Sequence, residues 1–390
     1  MYKVFDEALT KYSKIVLAYS GGKDSTVLAI LFYKWLMLRN IKGLNVVLLH
    51  NDTLSEINPM EMWARHFMNE YSKRLSLIGN NVEIRIIVPD AIDTFYWRVF
   101  VRGYPAPTYN FRWCVNLLKM KPAKRSLHDD DAVLLTGIRE SESSTRAGIV
   151  KRSYGSCPLG PSKCLAYYLQ INESNITKIS PLRDWQTADV FEYLRHEKDF
   201  DVSELLRLYD CDGARFGCWH CTLATVQWGL QVLSNNYLYF DMLRLIYRRI
   251  SDIPELRLRK NTGYSKLGAL NHIARSIIFH AINIAEELSN IKLYGLDEIK
   301  VHNITLRELF YKINAKEANK IIKTIDNTDK FINIEKIRKL DNNALPFINM
   351  IDEMSIKDKS RILALKRGFD PMKEILQELK ERTKQNDIIT

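Results

Sequence analysis

The chain has 390 residues, of which 46% are hydrophobic and 26% are charged, and its formal net charge is +11. This composition is ordinary for a soluble globular protein with room for two domains. No run of about 18 apolar residues occurs, so we expect no membrane-spanning helix. The mixed-charge start MYKVFDEALTKYSK lacks the pattern of a secretory signal, so we expect a cytoplasmic protein.

Short apolar runs rich in β-branched residues predict strands at Lys14–Tyr19, Leu44–His50, Val82–Val88, Ala132–Gly137 and, more weakly, Ile176–Leu182. Apolar residues at helical spacing lie between them, in one stripe from Val27 to Leu36 and another from Met60 to Tyr71. Strands that alternate with helices indicate an α/β fold with a doubly wound parallel sheet. In such a fold, ligands bind at the carboxyl ends of the strands.

The strand pattern fades from about Thr222, and the segments 237–250 and 268–288 predict helices. We therefore expect one domain over residues 1–225 and a mostly helical region over residues 226–390. The excess of basic over acidic residues lies mainly in residues 231–390. This excess favours a polyanionic partner, although a solvated lysine-rich surface gives the same balance. The last hundred residues could bind DNA, dock partner proteins or mediate dimerisation, and the sequence leaves the oligomeric state open.

The first predicted strand ends in a short polar turn, directly before a predicted helix. The residues of this turn are Ser20, Gly21, Gly22, Lys23, Asp24 and Ser25. Paired glycines let backbone amides approach a ligand, and the start of a helix adds free N–H groups and a positive dipole end. With the hydroxyls and the lysine, the turn predicts a cradle for pyrophosphate, whereas a purely structural interpretation gives a tight turn only. The spacings of the P-loop and of the dinucleotide fingerprint are absent.

Two further loops follow predicted strands and fit the same nucleotide site. The loop after the second strand offers contacts to adenosine or magnesium through Asn51, Asp52 and Thr53. The loop after the fourth strand offers nucleotide contacts through Gly137, Arg139, Glu142, Ser143 and Arg146. Arginines suit phosphate because they are planar and permanently charged. Ion pairs on a surface loop explain either loop alone equally well, so their shared position on one sheet edge is what favours a site.

The six cysteines of the chain are expected to act as ligands or catalysts rather than as disulfides. The candidate metal ligands are Cys157, Cys164, Cys211, Cys218 and Cys221. The last three lie on one segment, and one of the first two would complete a set of four. We favour an iron–sulfur cluster, because a site that activates an oxygen suggests sulfur as the replacing atom. Zinc, a redox dithiol and structural thiols stay open.

Cys114 lies apart from the other cysteines in the sequence, near Arg112, Lys119 and Lys121. Neighbouring cations lower the pKa of a thiol, so this pattern predicts a reactive thiolate that carries or delivers sulfur. The alternative is a small buried hydrophobic side chain.

The string SGGKDS at a strand–helix junction resembles the PP-loop of ATP pyrophosphatases, which cleave ATP between the α and β phosphates and transfer AMP to an oxygen. The strings DTLSE, RGYPAPTYNFRWC, KMKP, GIRESESSTRA, PLRDWQTADVFEYL and RFGCWHC follow in order. They are similar to the sulfur-handling (DndC-type) component of bacterial DNA phosphorothioation systems, within the PAPS-reductase/PP-loop superfamily. The resemblance is dense over residues 15–225 and thin beyond them, and it implies an adenine-nucleotide α-hydrolase-like fold.

The resemblance implies an iron–sulfur ATP pyrophosphatase and sulfurtransferase that replaces a phosphate oxygen of the DNA backbone with sulfur. The implied cofactors are ATP, Mg²⁺ and a 4Fe–4S cluster. The implied partners are DNA, a cysteine desulfurase and other phosphorothioation proteins. Cys211, Cys218 and Cys221 match three cluster ligands, and Cys114 matches the family cysteine near the nucleotide. The fourth family cysteine, shortly before Cys211, is absent here, so Cys157 or Cys164 must replace it or the cluster is altered.

In the reaction that we expect, adenylylation turns a phosphate oxygen into a good leaving group, and sulfur then displaces AMP. The charge on the departing pyrophosphate would be stabilised by Lys23, Arg139 and Arg146. Asp24 or Asp52 is the candidate ligand of the magnesium ion.

Three other functions stay open. A PAPS or APS reductase is the nearest, but such reductases use a cysteine on a C-terminal tail, whereas the last cysteine here is Cys221. The intact pair of Lys23 and Asp24 also favours cleavage of ATP. A tRNA thiolase uses the same chemistry on a splayed-out base. A non-catalytic DNA-binding subunit would show salt-dependent DNA binding without pyrophosphate release.

Overall fold

The structure is a computed structural model, and the residues that it describes are 2–10, 12–127, 132–142, 168–171, 177–209, 215–259, 267–293, 300–301, 304–305, 340–354 and 358–385. By their contacts the residues form two compact units. The first, here called the sheet unit, comprises Met1–Asp52, Asn58–Val88 and Met120–Asp210. The second, here called the helical unit, comprises Thr53–Ile57, Pro89–Lys119 and Cys211–Thr390. The predicted domain boundary between residues 225 and 226 stays a prediction.

The sheet unit contains strands β1 to β6, which are Lys14–Ala18, Asn45–Asn51, Asn81–Ile87, Ala132–Leu135, Tyr168–Ile171 and Thr177–Ser180. Their order in the sheet is β3-β2-β1-β4-β6-β5. The pair of β5 and β6 is antiparallel, and the other neighbouring pairs are parallel. The predicted α/β fold is therefore confirmed. Of these six strands, β5 has no counterpart among the predicted strands.

The strand order reverses between β1 and β4. The chain first runs outwards from β1 through β2 to β3 and then returns to place β4 on the other side of β1. In open parallel sheets, such a reversal opens a crevice at the carboxyl ends of the two central strands, and ligands bind there. The turn at residues 20–25 follows β1 and the loop at residues 136–142 follows β4, so both predicted loops lie at this switch point.

Among the described residues of the sheet unit, helices α1 to α6 are Tyr2–Leu9, Lys23–Arg39, Asn58–Leu77, Lys121–Ser126, Thr187–Arg195 and Ser203–Leu208, with a 3₁₀ turn at Glu140–Glu142. Helix α2 starts within the turn, at Lys23, and its residues 25–32 are all buried. It ends at Asn40, whose left-handed backbone lets its N–H reach the carbonyls of Leu36 and Met37. Helix α2 is thus part of the core from Ser25 onwards, whereas the Lys23 and Asp24 side chains at its start are each 15% exposed.

The helical unit contains helices α7 to α12, which are Trp228–Leu233, Asn235–Asp252, His272–Ser289, Leu345–Glu353, Lys359–Lys366 and Pro371–Gln385. Two π-helical turns lie at Trp97–Val101 and Val115–Met120, and 3₁₀ turns lie at Ala91–Asp93, Pro254–Leu256 and Asn342–Ala344. Short antiparallel pairs are formed by β7 with β8 (Arg257–Arg259, Leu267–Leu270) and by β9 with β10 (Lys300–Val301, Ile304–Thr305).

The mostly helical character predicted for this region is confirmed, with one local correction. Helix α8 covers the predicted segment 237–250. The predicted helix over 268–288 is wrong at its start, because Leu267–Leu270 is a strand and α9 begins at His272. The side-chain oxygen of Asn271 accepts a hydrogen bond from the N–H of Ala274 at 3.0 Å and so caps the helix. Among the described helices, none combines the length and the apolar character needed to cross a membrane.

Candidate functional site

The turn after β1 depends on its first glycine for two reasons. Gly21 has φ +75°, which is unfavourable for residues with a Cβ atom. A Cβ atom built on Gly21 would also lie 2.7 Å from the Cβ of Ala64 in α3. The indole N–H of Trp63 donates a hydrogen bond of 3.0 Å to the Gly21 carbonyl, which fixes the turn against the same helix. The glycine is thus required by the close approach of α3.

The two serines of the turn bond to each other across it. Their hydroxyl oxygens are 3.1 Å apart, and Ser25 also donates to the carbonyl of Gly22 at 2.9 Å. Ser25 is buried, whereas Ser20 is exposed. The backbone N–H of Thr26 donates to Gly22 and is the first amide of α2 to complete a helical bond in this way. The amides of the preceding first turn therefore provide the N–H donors and the positive dipole end expected of an anion site.

Gly137 places the loop after β4 directly against the start of α2. A Cβ atom on Gly137 would lie 3.0 Å from the carbonyl carbon and oxygen of Asp24 and 3.1 Å from the nitrogen of Ser25. A larger residue would push the loop away from the first turn of the helix. The structure therefore brings together the two loops that the sequence assigned to one nucleotide site.

Asp24 is held between two cations. Its carboxylate accepts a bond of 2.9 Å from the ammonium of Lys23 and one of 2.6 Å from Nε of Arg139. The Arg139 side chain is 1% exposed. Its remaining N–H groups donate to Ser141, to the carbonyl of Trp185 and, at 3.4 Å, to Thr187. In this arrangement Arg139 holds the Asp24 carboxylate in position. A direct contact between Arg139 and phosphate stays a prediction.

Lys23 is the cation of the turn, and its side chain is more exposed than that of Arg139. Its side chain is 15% exposed, and its ammonium lies 5.4 Å from the ring centroid of Tyr209. The hydroxyl of Tyr209 would be 3.4 Å from a Cβ atom on Gly22. Tyr209 therefore borders the turn on the side of Lys23, a neighbour that the sequence did not indicate.

The carboxyl end of β2 carries a network of charged groups. Asp52 is 1% exposed and accepts a bond of 3.0 Å from Arg65. Arg65 donates to Glu61 at 2.7 Å, and Glu61 is 3.0 Å from Nε2 of His50. Burial disfavours a charged His50, but the hydrogen bond and the charge of Glu61 prevail and raise the pKa of the imidazole. Nδ1 of His50 lies 2.9 Å from the carbonyl of Tyr19, so the network supports the backbone immediately before the turn.

The two candidate magnesium ligands, Asp24 and Asp52, differ in their exposure to solvent. Magnesium bound with a nucleotide usually takes one or two carboxylates besides phosphate oxygens and water. Both carboxylates are paired with cations, Asp24 with Lys23 and Arg139 and Asp52 with Arg65. The Asp24 side chain is 15% exposed, whereas the Asp52 side chain is 1% exposed. By exposure, Asp24 fits the requirement better than Asp52. Asn51 lies at the end of β2 and Glu142 ends a 3₁₀ turn, while Ser143 and Arg146 lie outside the described residues.

A second group of candidate residues lies in the helical unit, around Cys218 and Cys221. The two cysteines share a turn in which the N–H of Cys221 donates to the carbonyl of Cys218 at 3.1 Å. The thiol of Cys218 is 3.2 Å from the hydroxyl of Thr53 and 3.5 Å from Glu56. The ammonium of Lys119 lies 3.6 Å from the same carboxylate. Thr53, which was predicted to contact the nucleotide, is therefore a neighbour of the thiols.

Burial is the main cause of the raised pKa values of Cys114 and Cys218. Burial, followed by the charge of Glu56, raises the pKa of Cys218. Burial also raises the pKa of Cys114 to about 11, and the charge of Cys221 adds to this effect. Lys119 lowers the pKa of Cys114, but its effect is smaller. The predicted depression of the Cys114 pKa is therefore wrong for the protein without a ligand, because desolvation outweighs the neighbouring cation.

These interactions also place Cys114 in the same electrostatic environment as the two other thiols. The charge of Glu56, followed by those of the three thiols, raises the pKa of Lys119. The side chain of Lys119 is 48% exposed, so its ammonium has access to solvent. Cys114, far from the CxxC in the sequence, is thus one of three thiols that act on the same lysine. Glu56 and Lys119 lie in the strings DTLSE and KMKP, but the sequence assigned no role to Glu56.

The fit of a metal group can be judged from two of the predicted ligands. Thiolates are soft ligands that suit iron–sulfur clusters and zinc, so the turn of Cys218 and Cys221 fits two positions of such a site. Cys157, Cys164 and Cys211 lie outside the described residues. Within the described part of the chain, no group of three or more His, Cys, Asp or Glu side chains could hold a metal ion.

His220, between the two cysteines, packs in the core. Its ring stacks on Phe95 with centroids 3.8 Å apart, and burial lowers its pKa to about 3. The imidazole is therefore neutral at physiological pH, and neither ring nitrogen has a hydrogen-bond partner among the residues described.

Comparison with known proteins identifies the family. Residues 14–224 match the phosphoadenosine phosphosulfate reductase domain, which is more than half of the chain. An uncharacterized protein of Methanocaldococcus jannaschii is 28% identical over 215 residues, which is 53% of this chain and 36% of the relative. The adenosine 5'-phosphosulfate reductase of Allochromatium vinosum is 24% identical over 196 residues, which is 50% of this chain and 64% of the relative.

The reductase of the same name from Burkholderia cepacia is 27% identical over 184 residues, which is 47% of this chain and 60% of the relative. The matches thus span less than two thirds of the length of each of these relatives. The matched region contains the turn after β1, the loop after β4 and the CxxC turn. On this match, the chain belongs to the phosphoadenosine phosphosulfate reductase domain family.

Proposed function

We propose that the chain is an ATP pyrophosphatase and sulfurtransferase that adenylylates a backbone phosphate oxygen of DNA and replaces it with sulfur. The observation that carries this proposal is the turn after β1. There, Gly21 brings the backbone against α3, the first turn of α2 offers its amides, and Lys23 adds a cation. A substrate that already carries an activated sulfate has no pyrophosphate to release, so an intact turn of this kind favours ATP.

In the proposed first step, the phosphate oxygen of the acceptor attacks the α phosphorus of ATP. The bond between the α phosphorus and the bridging oxygen breaks, and pyrophosphate leaves. The amides of α2 and the ammonium of Lys23 would stabilise the negative charge on the leaving group. Arg139 would keep the Asp24 carboxylate oriented for a magnesium ion brought in by the nucleotide.

In the proposed second step, a persulfide on Cys114 attacks the activated phosphorus and AMP leaves. An external thiol then attacks the sulfur bonded to Cys114 in the new disulfide, so that the terminal sulfur stays on phosphorus and Cys114 forms a mixed disulfide with the external thiol. A second external thiol must reduce this mixed disulfide before the next cycle. Cys114 is the candidate because it lies in the electrostatic environment of Lys119 and is not one of the two thiols proposed as cluster ligands. A cysteine desulfurase would supply the persulfide sulfur, and other phosphorothioation proteins would act beside it.

We also propose that Cys218 and Cys221 hold a 4Fe–4S cluster, with further ligands among Cys157, Cys164 and Cys211. When bound, such a cluster supplies electron transfer or a site for inorganic sulfur. Zinc in the same position would supply a structural link only.

The test is pyrophosphate release from ATP, measured with and without DNA. We expect release by the wild type to rise when DNA is added, and we expect Lys23→Ala to reduce it by about 100-fold, as loss of one transition-state donor does. Lys198→Ala is the matched control, because this exposed lysine of the same unit lies outside the turn. Equal release by Lys23→Ala and the wild type would show that the turn does not bind the triphosphate.

A second candidate is reduction of an adenylyl sulfate, which is favoured by the names of two curated relatives, both adenosine 5'-phosphosulfate reductases. This function predicts that the protein converts adenosine 5'-phosphosulfate and a dithiol to sulfite and AMP. It predicts no pyrophosphate release from ATP. Measurement of both products with the same preparation separates the two functions.

A further inference from the structure

The helical unit contains a cleft of about 860 Å³ whose lining combines arginines with aromatic rings. The arginines are Arg102, Arg248 and Arg257, and the only acidic residue among the lining residues is Asp252. The volume lies within the range of small-molecule sites. The excess of positive charge indicates a ligand that carries phosphate or another anion.

The aromatic part of the cleft lies on the turn between Thr108 and Phe111, whose backbone N–H and C=O groups bond to each other at 3.3 and 3.1 Å. This turn exposes 69% of Tyr109 and 45% of Phe111. The guanidinium of Arg112 lies over the ring of Tyr109, 4.2 Å from its centroid. An exposed ring next to a cation offers a planar surface on which a base can stack.

The loop that carries these rings is held in one conformation by four hydrogen bonds. Ser251 accepts from the N–H of Ala106 at 2.8 Å, and Thr222 donates to the carbonyl of Pro107 at 2.7 Å. The hydroxyl of Tyr247 donates to the carbonyl of Tyr104 at 3.0 Å. The indole of Trp113 donates to the carbonyl of Pro105 at 3.1 Å. A loop fixed in this way loses little entropy when a ligand binds, so the cleft is preorganised.

The arginines differ in how firmly they are held. Arg257 donates from Nε to the carbonyl of Gly268 at 2.7 Å and from Nη1 to that of Ser251 at 2.6 Å, so its guanidinium is fixed. Arg248, on α8, is exposed. The lining of the cleft thus offers one fixed and one exposed arginine for contacts with phosphates.

We propose that this cleft binds an unpaired nucleotide within a polynucleotide strand, with the arginines on the phosphates and Tyr109 or Phe111 stacked on the base. The assignment rests on the proposed function only for the choice of DNA over RNA, because both present the same phosphates and base faces. A duplex hides its base faces by stacking, so a site built from exposed rings favours an unpaired strand.

The test is fluorescence anisotropy of the full-length protein with a labelled single strand, without ATP. We expect Tyr109→Ala to weaken binding by about 5- to 100-fold, the range found when a stacking ring is removed, and Tyr109→Phe to keep wild-type affinity. Arg248→Ala should reduce the slope of log affinity against log salt by about 0.7. Arg367→Ala, which removes an exposed arginine of the helical unit outside the cleft, should leave both quantities unchanged.

A duplex of the same sequence and an RNA strand complete the experiment. Weaker duplex binding that does not depend on Tyr109 supports the proposal, and the tighter of the DNA and RNA strands identifies the natural ligand. The proposal is wrong if the strand and the duplex bind equally, or if neither Tyr109→Ala nor Arg248→Ala affects strand binding. Lys23→Ala separates the two proposals, because it should reduce pyrophosphate release by about 100-fold and leave strand binding intact.

Discussion

The replacement of Gly21 by alanine tests how the turn is built. The new Cβ atom would meet the Cβ of Ala64 at 2.7 Å, on a backbone with φ +75°. The left-handed backbone costs an alanine about 1–2 kcal/mol, and the overpacking costs about 1–3 kcal/mol more. We therefore expect Gly21→Ala to lower the free energy of unfolding by about 2–5 kcal/mol.

Gly43 provides a matched control. Its φ is +74°, but a Cβ atom there would have nothing within 4 Å. Gly43→Ala should therefore show the backbone cost alone, about 1–2 kcal/mol. The difference between the two variants measures the contact with α3. Ala64→Gly in the Gly21→Ala background removes the Cβ atom of Ala64 and should recover this difference. Ala64→Gly by itself costs about 1 kcal/mol of helix propensity, and this cost is subtracted first.

The assay is urea unfolding of the four variants, followed by tryptophan fluorescence and circular dichroism, with pyrophosphate release measured in parallel. Equal losses for Gly21→Ala and Gly43→Ala, together with no coupling between positions 21 and 64, would refute the close approach to α3. Release that fell in Gly21→Ala and stayed low in the double variant would indicate that the altered backbone, rather than the packing defect, impairs the turn.

Three further outcomes are expected. His50→Gln should destabilise the protein more at about pH 6 than at about pH 9, because Glu61 raises the pKa of His50 and the resulting stability is lost as the pH rises through that value. An equal loss at both pH values in urea unfolding would contradict this. Arg139→Lys should cost about 3 kcal/mol, since a lysine cannot replace the buried guanidinium, and an unchanged urea midpoint would count against it. Cys218→Ser should remove the visible absorbance of anaerobically purified protein, whereas Cys114→Ser should leave it, and a colourless wild type with bound zinc would disprove the cluster.

The residues of the turn after β1 could be predicted because the signal is local. A β-branched run, two glycines and a helical stripe occupy one short stretch, so strand, turn and helix follow from neighbouring residues. Alternating elements predict the parallel sheet, and the strand order seen in the structure then places the loops after β1 and β4 together. The N-terminal limit of α9 was missed, because a four-residue strand before it shares the apolar character of the helix.

The network of His50, Glu61, Arg65 and Asp52 could be predicted only in part. Glu61 and Arg65 are four residues apart on a helix and form a recognisable ion pair. Their contacts with His50 and Asp52 require the packing of α3 on the end of β2, which no sequence pattern specifies.

The sequence by itself determined the α/β order of the first half, the position of the turn after β1 and the identity of the thiols, because these depend on residues adjacent in the chain. Only the tertiary structure decided what each side chain does. Arg139 reaches Asp24 across 115 residues and has its donors satisfied by protein. Cys114 has a raised pKa despite its basic neighbours. Both results depend on burial and on distant partners, which exist only once the chain is folded.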